Sequence, residues 1–107
     1  MSKLHHCAIN VSDYDWYSSF FQEVFKMKIS KSSGDIPVRK VWFKEGIQLN
    51  EISEASPYSS VYDHIALSVC NIDSIVSAAL EKGCTLLPDK HNWIKLPNGV
   101  LIELMSE

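Results

Sequence analysis

The stretch Leu4–Val11 (LHHCAINV) decides the fold, because its pattern returns at Asp63–Val69 (DHIALSV). Both copies contain a histidine, any residue, an alanine, an isoleucine or leucine, an asparagine or serine, and a valine. Side chains two positions apart lie on the same face of a β-strand. Each copy therefore predicts a strand with one histidine, His6 or His64, on its more polar face. The pair predicts a site assembled from two halves of a duplicated fold.

The first half of the chain predicts the element order β-α-β-β-β. Ser12–Asp15 has the composition of a helix start, and large apolar residues then recur at steps of three and four. We interpret this stripe as the core-facing side of a helix that covers a sheet. The stripe contains Trp16, Tyr17, Phe20, Phe21, Val24 and Phe25, and the strands that follow it are Met27–Ser30, Val38–Lys44 and Ile47–Ile52.

The second half repeats this order after a stretch of linker composition, Ser53–Ser60. A helix is predicted to begin near Asn71 and to end at Gly83. An internal repeat of about fifty residues is typical of a fold built from similar modules. We therefore predict a single domain at 1–107, with a first module at 1–52, a linker at 53–60 and a second module at 61–107. The last three strands are predicted at Cys84–Leu87, His91–Leu96 and Val100–Met105.

Composition argues against several classes of partner. The 107 residues, 46% of them hydrophobic, suffice for one core. A net charge of -3 and scattered lysines provide no basic surface for nucleic acid. No run approaches the roughly 18 apolar residues of a membrane span, and the N-terminus lacks the apolar region of a signal peptide. Three cysteines without paired C-x-x-C spacing indicate a reducing compartment and roles as small buried residues. We expect a cytoplasmic protein.

Four polar residues occupy equivalent places in the repeat. The two modules end alike, GIQL at 46–49 against GVLIEL at 99–104, which aligns Gln48 with Glu103. Together with His6 and His64, these residues lie on the polar faces of four equivalent strands. Two neutral imidazoles and a carboxylate are common ligands of zinc, iron, nickel or manganese. The amide oxygen of Gln48 would be a weaker fourth ligand without charge.

In these motifs the chain resembles the superfamily of glyoxalases, bleomycin-resistance proteins and extradiol dioxygenases, whose fold is called the vicinal oxygen chelate fold. The resemblance rests on the stretches 6–11, 63–69 and 97–104 and covers essentially the whole chain. It implies an α+β fold in which two βαβββ modules form a cupped mixed sheet with helices on the outer face. It also implies that a divalent metal, zinc, nickel, manganese or iron, is bound in the cup. The implied ligands are His6, Gln48, His64 and Glu103.

Two positions depart from the glyoxalase pattern. The first module usually ends in a glutamate ligand where this chain has Gln48. Glutathione-dependent members carry an arginine at the position of Asn10, and without it a glutathione carboxylate would lose a bidentate partner. We therefore do not expect glutathione as a substrate. Glu51 could replace Gln48 as a ligand only if a bulge reversed the register of its strand. His5 falls on the opposite face from His6 and is interpreted as structural.

The resemblance implies a metal-dependent lyase or isomerase that acts on a small substrate with adjacent oxygens. The metal would act as a Lewis acid, and Glu103 would be both ligand and base. The alternative is a non-catalytic binding protein of the bleomycin-resistance type that sequesters a small aromatic ligand. Extradiol ring cleavage is a third interpretation. The resemblance also implies a homodimer, in which the site residues come from one chain or from two.

Several further residues could line the cup around a small ligand. The indole rings of Trp42 and Trp93 could equally pack at an interface, and His91 could be a half-exposed strand residue. Lys40 and Lys95 lie on the same strand faces as these aromatic residues. The predicted substrate-binding residues are Asn10, Trp42, Asn50, His91 and Trp93.

Overall fold

The structure is a computed structural model that describes residues 2–53 and 62–107. All of the predicted linker except Ser53 lies outside the described residues. The order β-α-β-β-β occurs twice, so the predicted α+β fold class with two βαβββ modules is confirmed. The elements are β1 (Lys3–Val11), α1 (Tyr14–Glu23), β2 (Ile29–Ser33), β3 (Lys40–Phe43), β4 (Ile47–Glu51), β5 (Tyr62–Val69), α2 (Ile72–Glu81), β6 (Thr85–Leu86), β7 (Trp93–Lys95) and β8 (Leu101–Ser106).

The chain divides into two compact units. The first unit is His6–Asp63, and the second unit is His64–Glu107 together with Met1–His5. Within the described residues, no helix is both long enough and apolar enough to cross a membrane.

The first unit contains a mixed sheet with the strand order β2-β3-β4-β1. β1 and β4 are parallel, while β2, β3 and β4 pair antiparallel in turn. The register places Gln48 beside Ala8 on one side and beside Trp42 on the other. Because neighbours in register lie on the same face of a sheet, the face that carries His6 also carries Gln48 and Trp42.

The core of the first unit lies on the opposite face of this sheet. Val11, Val41, Phe43 and Leu49 are buried there, and α1 covers them with partly buried side chains that include Phe21. These apolar residues alternate with the polar residues of the other face, which is the pattern of a strand with two different environments. The strand faces predicted for β1, β3 and β4 are therefore confirmed.

The prediction for the aromatic stripe of α1 was only partly right. Phe21 packs against the core, but Trp16 is 53% exposed and Phe25 is 57% exposed. Trp16 stacks on Phe20 with ring centroids 5.0 Å apart, so part of the stripe packs along the helix instead of into the sheet. A stripe of six large residues is wider than the contact between one short helix and a four-stranded sheet, and its edges stay in solvent.

The second unit has the same design, with the strand order β5-β8-β7-β6. β5 and β8 are parallel, and the other two pairs are antiparallel. Its core contains Val69, Ile94 and Leu104, which are packed under α2. The α2 residues that pack against this core are Ile72, Ile75, Val76 and Ala79.

The ends of α2 follow the predicted signals. Asn71 caps the helix, since its side chain accepts a hydrogen bond of 3.0 Å from the backbone N–H of Ser74. Gly83 follows the helix with a φ of 101°, a conformation that a residue without Cβ adopts most readily. The boundaries predicted from Asn71 and Gly83 are confirmed.

Some strand boundaries differ from the prediction. β2 (Ile29–Ser33) begins two residues later and ends three residues later than the predicted strand, because its antiparallel pairing with β3 sets its position. β7 is shorter than predicted, so that His91 lies in the turn before it. Cys70 is exposed, contrary to the expected burial of all three cysteines, and none of the three forms a disulfide.

Candidate metal-binding residues

The first unit presents His6 and Gln48 on the face opposite its core. Only 5% of His6 and 3% of Gln48 is exposed. β1 and β4 hold them on neighbouring strands, and a backbone hydrogen bond of 2.8 Å from the N–H of Cys7 to the oxygen of Gly46 starts the pairing. The neighbouring Ala8 is fully buried and has a small side chain, which leaves the larger polar groups room on this face.

A series of side-chain amides extends from Gln48. Its Nε2 donates to Oδ1 of Asn50 at 2.7 Å, and Nδ2 of Asn50 donates to Oδ1 of Asn10 at 3.3 Å. Nδ2 of Asn10 in turn donates to Oδ1 of Asp63 at 3.3 Å. Sequence reasoning placed Asn10 and Asn50 near the site but did not connect them with Asp63. The only signal in the sequence is the position of Asp63 immediately before His64.

The second unit presents His64 and Glu103 together. Only 5% of His64 is exposed, and its Nε2 lies 3.3 Å from Oε1 of Glu103. The parallel pairing of β5 and β8 brings the two together, since Ala66 is the register partner of Glu103. The prediction that these two strands carry their polar residues on one face is therefore confirmed.

The ring of Trp93 packs against His64. The two ring centroids are 4.6 Å apart with an interplanar angle of 66°, an edge-to-face arrangement. Trp93 is also the register partner of Glu103 on β7. The indole thus contacts one candidate ligand and lies beside the other, where it restricts the orientations of the imidazole.

The remaining predicted substrate-binding residues have different environments. Trp42 is half-buried, and Nζ of Lys31 lies 4.9 Å from the centre of its ring. Lys40 is exposed and is the register partner of Asn50. His91 is exposed. The polar face of the first unit therefore carries cationic side chains around an aromatic ring.

Glu51 does not take the place of Gln48. It lies in regular register with Val11, on the core-facing side of β4, and its carboxylate accepts two side-chain hydrogen bonds of 2.9 Å from Arg39. The Arg39 guanidinium holds the pKa of Glu51 below its usual value, and Glu51 in turn raises the pKa of Arg39. Arg39 also bonds Asp15 at 3.0 Å, so this ion-pair cluster ties α1 to the sheet.

The four candidate ligands fit a divalent metal by the chemistry of their donor atoms. Imidazole and carboxylate, the groups of His6, His64 and Glu103, are side-chain types that commonly bind divalent metal ions. Gln48 would add a neutral amide oxygen. Zinc, iron, nickel and manganese all accept such mixed nitrogen and oxygen ligands.

Comparisons with known proteins identify the fold. No protein-family model and no curated protein matches the chain. Solved structures match over almost its full length. A hypothetical protein from Bacillus halodurans is 20% identical with a TM-score of 0.72, and the match covers 99% of this chain and 94% of that one.

Two methylmalonyl-CoA epimerase structures show the same similarity. One, a variant from Streptomyces coelicolor in complex with 2-nitronate-propionyl-CoA, is 18% identical with a TM-score of 0.74 and covers 98% of this chain and 96% of that one. The other, in complex with methylmalonyl-CoA and an ammonium ion, is 18% identical with a TM-score of 0.75 over 100% and 95% of the two chains. The chain therefore shares its α+β fold, over almost its full length, with these solved structures.

Proposed function

We propose that the protein is a metal-dependent isomerase of the vicinal oxygen chelate type, with His6, Gln48, His64 and Glu103 as metal ligands. One observation carries this proposal. The buried polar residues of the described part of the chain are His6, Gln48 and His64, the three side chains that sequence reasoning singled out with Glu103. Two imidazoles and an amide buried at equivalent positions of the repeat offer donor atoms that divalent metals accept, which supports metal coordination as their shared role.

The proposed reaction is proton transfer at a carbon atom next to a carbonyl group. When bound, the metal would act as a Lewis acid that stabilises negative charge on the substrate oxygens. Glu103 is the base in this proposal, because a carboxylate can accept a proton from such a carbon and return it. Its side chain is 23% exposed, while that of His64 is 6% exposed. Glu103 is therefore the more accessible of the two to an incoming substrate.

The solved neighbours suggest the first substrate to test. Methylmalonyl-CoA is bound to one of them. Its methylmalonyl group carries a carboxylate and a thioester carbonyl on the same carbon, so two oxygens could approach one cation. Lys31 and Lys40 give the polar face of the first unit positive charge, which favours an anionic acyl group of this kind.

The predicted substrate-binding residues keep their proposed role. Trp42 and Trp93 would form apolar walls beside the ligands, while the amides of Asn10 and Asn50 would set the polarity of the first unit's face. His91, exposed in the turn before β7, would contact a part of the substrate that extends into solvent.

Metal content tests the ligand assignment. We expect elemental analysis to find about one divalent ion per site in the native protein after incubation with zinc, nickel, manganese or iron(II). The double variant His6→Ala, His64→Ala should bind none, while the control His5→Ala, which removes the neighbouring exposed histidine, should bind as the native protein does. Native protein that stays metal-free would overturn the proposal and direct attention to aromatic ligands of the bleomycin-resistance type.

Deuterium exchange tests the reaction. In D2O, the metal-loaded protein should incorporate deuterium at the central carbon of the methylmalonyl group, which mass spectrometry detects without assuming a net change of the substrate. The metal-free protein should not. Metal binding without exchange would keep the metal site and reject methylmalonyl-CoA as the substrate.

A further inference from the structure

The series of amides in the first unit has a defined direction. Gln48 donates to Asn50 at 2.7 Å, Asn50 to Asn10 at 3.3 Å, and Asn10 to Asp63 at 3.3 Å. Asn10 and Asn50 each direct the NH2 group toward Asp63 and the oxygen toward Gln48, and Gln48 directs its NH2 group toward Asn50. All four side chains are half-buried or buried, so the series lies largely out of solvent.

The carboxylate at the end of the series accounts for this direction. An ionised carboxylate only accepts hydrogen bonds, while a side-chain amide carries an acceptor oxygen and a donor NH2 group. Asn10 must therefore turn its NH2 group toward Asp63, which leaves its oxygen for Asn50. Asn50 must then donate, which leaves its own oxygen for Gln48. The orientation of each amide follows from that of the one before it.

The consequence concerns the last member. Because the NH2 group of Gln48 is used toward Asn50, its oxygen is at the other end of the amide group. A cation binds the oxygen of an amide and is repelled by its NH2 group. The two orientations of a glutamine amide have almost the same shape, so packing alone selects weakly between them.

We propose that Asp63 is a positioning residue which, through Asn10 and Asn50, orients the amide of Gln48 so that its oxygen is available to a metal ion. This inference rests on the proposed metal-binding function. It explains how a neutral glutamine can act as a metal ligand. A carboxylate has two equivalent oxygens and needs no such orientation, whereas an amide must turn its single oxygen toward the metal. It also assigns a role to Asp63 beyond its place in the strand that carries His64.

Titration calorimetry with nickel or zinc on the full chain tests the role of Asp63. Asp63→Asn can donate as well as accept, so both directions of the series become available. If the two directions become equally populated, metal affinity falls about twofold. Loss of the hydrogen bonds that hold the ligand in place can increase the fall to roughly 10-fold to 100-fold. The same substitution in a Gln48→Ala background should change affinity little, because the residue through which Asp63 acts is gone.

A second variant relocates the carboxylate without changing the net charge. The double variant is Asp63→Asn, Asn50→Asp. Its carboxylate at position 50 accepts hydrogen bonds from the NH2 groups of Gln48 and Asn10. The oxygen of Asn10 then accepts a hydrogen bond from the amide at position 63. The orientation of Gln48 is thereby restored, and we expect metal affinity to return to within about twofold of the native value. This recovery should also disappear in the Gln48→Ala background. Circular dichroism and urea unfolding verify that each variant is folded.

The outcomes separate this inference from the metal site itself. A loss in Asp63→Asn that is absent in the Gln48→Ala background, with recovery in Asp63→Asn, Asn50→Asp, supports it. An equal loss in both backgrounds shows that Asp63 acts through charge or folding and overturns it, as does the absence of any loss. Native protein that binds no metal overturns the proposed function and this inference together, whereas metal binding insensitive to Asp63 overturns this inference alone.

Discussion

The sequence pattern predicts the positions of some site residues fully and of others only in part. The period of two in LHHCAINV and DHIALSV is enough to place His6 and His64 on the polar faces of their strands, because alternation is a property of the extended backbone itself. The contact of Trp93 with His64 depends on which strands pair and in which register. Sequence reasoning named Trp93 as a candidate but could not choose between a wall of the site and an interface.

Glu103 is the residue that a single substitution tests best. Glu103→Gln keeps the size of the side chain but removes its charge and its ability to accept a proton. We expect weaker metal binding and a rate of deuterium exchange lower by roughly 10²-fold to 10⁴-fold, the usual contribution of a general base. Calorimetry and mass spectrometry measure the two effects. Glu81→Gln, the same change on the exposed end of α2, should alter neither, and unchanged exchange in Glu103→Gln would show that another group is the base.

Glu51 links stability to pH. Its pKa is held below the usual 4.5 by the hydrogen bond from Arg39, so the unfolded chain binds a proton more readily than the folded chain in acid. The stabilisation is therefore present above about pH 4.5 and is lost as pH falls through the lower folded pKa. Urea midpoints should be lower for Glu51→Gln than for the native protein at pH 7, and the difference should shrink as the pH is lowered below 4.5. A difference that stays the same size at pH 7 and in acid would contradict this ion-pair account. Glu23→Gln on the exposed face of α1 is the control.

At the scale of elements, the helices show how local signals and tertiary contacts share the control of structure. α2 begins and ends at the residues that its local signals predict, since a cap and a stop glycine act over one turn. The aromatic stripe of α1 was assigned wholly to the core, yet Trp16 and Phe25 are exposed. A periodic pattern shows which face a helix buries, but the width of the buried face depends on the surface that it packs against.

The cap of α2 has a measurable effect on stability. Asn71→Ala removes the acceptor of the Ser74 N–H and should lower the free energy of unfolding by about 0.5–2 kcal/mol. Asn71→Asp keeps the acceptor and should restore most of the loss. The matched control is Asp13→Ala, because the side chain of Asp13 makes no hydrogen bond at the start of α1. Equal effects of Asn71→Ala and Asp13→Ala in urea unfolding would show that the cap bond is not the cause.

At the scale of the whole molecule, we predict a homodimer from the family resemblance of the sequence. The resemblance to the vicinal oxygen chelate superfamily implies a homodimer, and isologous pairs are the commonest oligomers of small proteins. We expect sedimentation equilibrium to give twice the mass of one 12.1 kDa chain. The mass should be independent of concentration in the micromolar range, since an obligate pair dissociates only at lower concentration. A mass of one chain at all concentrations would reject the dimer.

By itself, the sequence determined the class of the fold and the faces of its main strands. The repeat of histidine, alanine and valine, the capping residues of α2 and the glycine turns are local features, and local features survive in any tertiary context that permits the fold. They were sufficient to select His6, Gln48, His64 and Glu103 as the candidate ligands. The α+β fold class predicted for the chain is also that of the solved structures it matches.

Only the tertiary structure decided which distant residues form hydrogen bonds and ion pairs with one another around the candidate ligands. Asn10 reaches Asn50 across 40 positions and Asp63 across 53 positions of the chain. Glu51 meets Arg39 on the side away from the candidate ligands, which rules out its exchange with Gln48. Such contacts depend on strand register and on the packing of distant segments, and these are settled only when the whole unit folds, because no local pattern encodes the identity of a partner so far away.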